Sequence, residues 1–92
     1  MEDISIEVDG IPIVWKADAA DDIRFAELLY DIQDGKPLAV VGLMRLAFGE
    51  EQYGNLKKTL AHDGRTEAAD MTKLFFDAMG KAADAKGNEP KN

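Results

Sequence analysis

Few residues in this chain are of a type that does chemistry, and their spacing argues against an active site. Two acidic pairs, Asp21-Asp22 and Glu50-Glu51, supply the carboxylates that general acid–base work uses. Adjacent residues on a helix point about 100° apart, so neither pair converges on one bond, and both fall where helix N-termini attract negative charge. Ser5 is the only serine; it lies in a strand-like alternation and lacks the glycines of a nucleophile elbow. His62, the only histidine, has no cysteine and no second histidine to complete a zinc shell, and reads as a surface turn residue.

A calcium loop is the nearest approach to a metal motif. Between Thr59 and Asp70, Asp63-Gly64 occupies the fifth and sixth positions, but Thr59 and Ala61 stand at the first and third, and Asp70 replaces the bidentate glutamate at the twelfth. Too few charged oxygens remain for tight binding. The expectation is no enzyme, no metal and no cofactor.

The elements that would position any site are legible from periodicity. Ile4, Ile6 and Val8 alternate with Ser5 and Glu7, and Ile11, Ile13 and Trp15 share one face of a second run. Asp9-Gly10 between them is the two-residue signature of a type I′ hairpin. That turn pairs Val8 with Ile11, Ile6 with Ile13 and Ile4 with Trp15, which gathers the large apolar side chains on one face; Pro12 points to an edge strand. A two-stranded ribbon is barely stable alone, so this face must cover helices or another protein.

Helical spacing follows. Phe25, Leu28, Leu29 and Ile32 predict a helix over about residues 20–33, with acidic residues at its start and Gly35 after its last turn. Pro37 opens a second helix that Gly49 ends near Phe48. Tyr53, Leu56 and Leu60 share a face of a third, which Glu50 and Glu51 begin and Asp63-Gly64 follows. Met71, Leu74, Phe75, Ala78, Met79 and Ala82 form a stripe over about residues 66–83. The expected fold class is α+β, mainly α: an N-terminal β-hairpin (3–16) followed by a compact bundle of about four short helices (20–85), one domain over 1–85 with a flexible tail over 86–92.

Composition bounds what this fold meets. Ninety-two residues suffice for one core and not two. A formal charge of −7 repels phosphate backbones and anionic headgroups, so neither nucleic acid nor membrane surface is an expected partner. The start, MEDISIEVDG, lacks the basic and apolar regions of a signal peptide, and no export is expected. The apolar stretch Leu38 to Phe48 is too short to span a bilayer and carries Arg45, so it is a buried or docking helix.

That stretch is the unusual one. On a helical wheel its apolar positions sweep roughly 220°, wider than an ordinary core-facing stripe. Two readings follow. Either the helix is central and wrapped by its neighbours, or part of the arc meets a partner through Val40, Val41, Met44 and Phe48, with Tyr53 at the next junction. The methionines suit an adaptable binding surface and are also common core filler.

The run DGKPLAVVGLMRLAFGEEQYGNLKKTLAHDGRTEAADMTKLFFDAM resembles the small tail assembly chaperones of long-tailed bacteriophages, the actinobacteriophage type above all, over residues 21 to 80. The resemblance rests on Asp34-Gly35-Lys36-Pro37-Leu38 before the apolar helix, on Phe48 to Tyr53 at the next junction, on Asp63-Gly64-Arg65 at the turn and on Phe75-Phe76 after it. It implies a non-enzymatic chaperone in the cytoplasm of the bacterial host. Such a protein binds the long helical tape measure protein and keeps it soluble while the tail tube protein polymerises. It also implies a longer, frameshifted form of the chain as a further partner. The alternatives are a structural homo-oligomer joined by hairpin edges and the second helix, or a small regulatory binding module.

Overall fold

The computed structural model describes residues 3–87. Strands β1 (Ile4–Val8) and β2 (Ile11–Trp15) form an antiparallel hairpin, and four helices follow: α1 (Ile23–Gln33), α2 (Val40–Phe48), α3 (Glu50–Leu60) and α4 (Ala68–Gly87). The fold is α+β and mainly α. The hairpin register is Ile4 with Trp15, Ile6 with Ile13 and Val8 with Ile11. Asp9 (φ 51°) and Gly10 (φ 80°) are both left-handed, as a type I′ turn requires. The consequence is the expected one-sided ribbon: Val8, Ile13 and Trp15 are buried, with Ile4, Ile6 and Ile11 packed half-buried beside them.

That ribbon is covered by the last helix. α4 lies against both strands, and its stripe of Met71, Leu74, Phe75, Ala78 and Ala82 is buried, with Met79 packed against the core. α2 closes the remaining side of β2 and is itself flanked by α1 and α3. Where the three layers meet, Trp15 stacks on Phe75 with ring centroids 5.7 Å apart, and Phe48 meets both edge-on at 6.1 and 6.0 Å. Aromatic pairs in these geometries add about 0.5–1.5 kcal/mol beyond their burial.

Helix boundaries depart from periodicity where a side chain or a turn intervenes. The first helix begins at Ile23 and not near 20, because Asp22 is extended (φ −77°, ψ 131°) and caps the Arg24 N–H; Ala19–Asp21 forms a separate 3-10 turn. Its end is as expected: Gly35 (φ 86°) donates to the Ile32 carbonyl at 3.1 Å, and Lys36 to that of Asp31 at 2.9 Å. Pro37 opens a 3-10 turn, Pro37–Ala39, and the α-helix proper starts at Val40. Gly49 (φ 80°) separates α2 from α3, and a Cβ there would lie 2.7 Å from the Lys16 Cε.

α4 starts at Ala68 because the residues before it are spent on a turn. His62 and Arg65 exchange backbone hydrogen bonds of 2.9 and 3.1 Å around Asp63 (φ 53°) and Gly64 (φ 81°), and the Thr66 hydroxyl donates to the Lys57 carbonyl at 2.6 Å. At its other end α4 runs through Gly87, past the boundary expected near 83. The rest of the stretch read as a tail, 88–92, lies outside the described residues.

Candidate functional site

The two readings of the apolar arc are separable by burial. Val40 is 8% exposed, Met44 2%, Phe48 2% and Tyr53 9%, while Val41 is half-buried against the core. The expected partner-binding set therefore has to be corrected: these side chains are occupied by the protein's own interior, and α2 is a central core helix. The reason is topological, because α1, α3 and the second strand all pack on α2, so the wide arc has a neighbour on each side. Tyr53 presents its ring to two cations, the Arg45 guanidinium 5.4 Å and the Lys57 ammonium 4.7 Å from its centroid.

The chemistry-bearing residues do not converge. Asp22 bonds the Arg24 backbone N–H at 2.8 Å and its guanidinium at 2.6 Å. Hydrogen bonds first from that side chain and then from that N–H hold the carboxyl down at about 2, well below its ordinary value. Asp21 sits in the preceding 3-10 turn. Glu50 faces Arg45 at 3.7 Å, both largely exposed. Ser5 is an exposed strand residue and His62 an exposed turn residue. Among the described residues no three His, Asp or Glu side chains gather as a metal site would require.

What the fold leaves to solvent lies elsewhere. Ile23 is 71% exposed, Tyr30 66% and Leu38 82%. α1 turns Phe25 inward, with Leu28, Leu29 and Ile32 against the core, so Ile23, Ala26 and Tyr30 line its opposite face. Together with Glu27 and Asp31 they border a shallow groove of about 370 Å³. Leu38 stands on the 3-10 turn packed against the same helix. Sequence reasoning missed this face, although its signal was present: two large apolar residues at helical spacing, off the core-facing stripe.

A second missed residue is Gln52 on α3. Its side-chain amide accepts from the Val14 N–H and donates to the Val14 carbonyl, both at 2.8 Å, and donates to the Phe48 carbonyl at 3.0 Å. The outer edge of β2 is thereby closed, because Pro12 has no N–H to offer and the Lys16 N–H is taken by the Ala47 carbonyl at 2.9 Å. On the outer edge of β1 the Lys81 ammonium occupies the Glu7 carbonyl at 2.8 Å.

No helix among the described residues is long and apolar enough to cross a membrane. No family model matches the chain, and no curated protein or solved structure matches it.

Proposed function

We propose that this protein is a non-enzymatic tail assembly chaperone of a long-tailed bacteriophage. It binds the tape measure protein in the host cytoplasm and keeps it soluble while the tail tube forms; the tail tube protein and a longer form of the chain are further partners. The identity comes from the resemblance over residues 21 to 80. The physical support is one observation: the domain fills its own core, yet leaves Ile23, Tyr30 and Leu38 exposed on an acidic surface. Exposed apolar residues on a highly charged, soluble scaffold suit capture of an amphipathic helix, since the complex inherits the charge that keeps it in solution.

The homo-oligomer reading has the hairpin edges as its support. It is weakened by the closure of β2 through Gln52 and Pro12 and by the acidic Glu7 on β1. Co-expression distinguishes the two. On the chaperone reading, a long helical tape measure protein encoded beside this gene is expected to yield insoluble product alone and soluble complex with this protein. If the product stays insoluble and unbound, the chaperone reading fails.

A further inference from the structure

Amphipathic helices in small domains normally place charge opposite their core stripe. α1 places a strip that is half apolar and half acidic. At 100° per residue, Ile23, Ala26 and Tyr30 lie along one side of its solvent face, and Glu27, Asp31 and Asp34 follow one another along the other.

Neither half is accounted for within the molecule. Single exposed apolar residues are ordinary, but Ile23 at 71% and Tyr30 at 66% exposure stand two turns apart on one line with Ala26 between them. None of Glu27, Asp31 and Asp34 has an ion-pair partner among the described residues, and the one cation on the helix, Arg24, is held by Asp22. Asp31 and Asp34 also stand at the C-terminal end of α1, which has no basic residue in its last turn. The helix dipole there repels negative charge, so the row is unfavourable in the free protein and is relieved when cations arrive.

We propose that the outer face of α1 is the docking site for an amphipathic helix of another protein. The apolar stripe of that helix covers Ile23 and Tyr30, and its flanking lysines or arginines meet Glu27, Asp31 and Asp34. This rests on the reading of the chain as a binding protein and names the chemistry of its partner. Charge complementarity selects the occupant. A second copy of this chain would set one acidic row against another, and an anionic bilayer would be repelled in the same way.

The test uses the intact, isotope-labelled protein and a synthetic helical peptide with a leucine stripe flanked by lysines. Amide shifts are expected along α1, with binding weakened by salt. Tyr30→Ser, or Glu27→Lys with Asp31→Lys, is expected to lower affinity on the order of tenfold or more. All three side chains are solvent-facing or half-buried, and circular dichroism confirms that the variants stay folded.

The proposal is overturned if the peptide causes no shifts or shifts away from α1. It is also overturned if a glutamate-flanked peptide, or one with the same residues scrambled, binds as well. Association through α1 with phosphatidylserine vesicles or with a second copy would overturn it too. Co-expression separates this surface from the chaperone reading. Rescue by the intact protein and equally by Tyr30→Ser removes the α1 site and keeps the chaperone, whereas failure of the intact protein to rescue removes the chaperone whatever the peptide does.

Discussion

Gln52 pairs with Val14 as a third strand would, one side-chain amide satisfying both the N–H and the carbonyl that β2 turns outward. Gln52→Leu removes both bonds, together with the one to the Phe48 carbonyl, and leaves the edge open. We expect a loss of about 1–2 kcal/mol in denaturant unfolding, and concentration-dependent self-association by analytical ultracentrifugation. Gln52→Glu sharpens the point: its ionised carboxylate can accept from the Val14 N–H but sets a negative oxygen against the Val14 carbonyl. It is expected to be less stable than wild type at neutral pH and to recover as the carboxyl is protonated.

At the hairpin turn, Gly10→Val is expected to destabilise the domain by about 1 kcal/mol or more. A Cβ at Gly10 meets no atom within 4 Å, so the whole effect is the backbone cost of holding a branched residue at φ 80°. The denaturation midpoint reads it, and an unchanged midpoint would show that the turn can relax.

Met44→Asp is expected to unfold the domain and not merely to block a partner. The side chain is 2% exposed within the apolar core cluster, and moving a carboxylate there from water costs about 3 kcal/mol or more. Circular dichroism should show lost helix. A folded Met44→Asp protein would return the α2 face to the list of candidate surfaces.

The Asp22 carboxyl titrates at about 2 in the folded protein against 3.8 unfolded, because the Arg24 side chain and backbone N–H bond its ionised form. A lowered folded value means the contribution is complete above the unfolded value and is lost as pH falls through the folded one. Acid unfolding of wild type should therefore show a component between about pH 4 and 2 that Asp22→Asn lacks. Carboxyl carbon shifts followed by NMR check the titration directly.

Millimolar calcium is expected to leave the melting temperature unchanged. The Asp63-Gly64 turn is closed by the paired backbones of His62 and Arg65, and the loop lacks the oxygen count of a calcium site. A rise in melting temperature reversed by chelator would contradict this.

The hairpin was legible because everything that specifies it is local: Asp9-Gly10 sets the turn, and alternation sets the face. Helix ends were less so. Asp22 leaves the helical conformation to cap Arg24, and Thr66 is held by the Lys57 carbonyl, choices that depend on neighbours periodicity does not see. The apolar arc of α2 looks the same on a wheel whether strands or a partner cover it, so only the placement of the hairpin and α1 decides its role. Gln52 was invisible for the same reason. Its partner Val14 is remote in sequence, and a glutamine near a helix start carries no sign of what it will pair with.

Trp15 and Phe75 stack although they come from opposite ends of the chain. During synthesis the hairpin therefore emerges before α4 and waits, its apolar face covered only on the β2 side by α2, until α4 has left the ribosome. A message cut short before Phe75 yields three helices and a ribbon whose β1 side is left bare, ready to aggregate or be degraded. The sole tryptophan sits at that closing contact, so its emission reports the moment the molecule becomes whole.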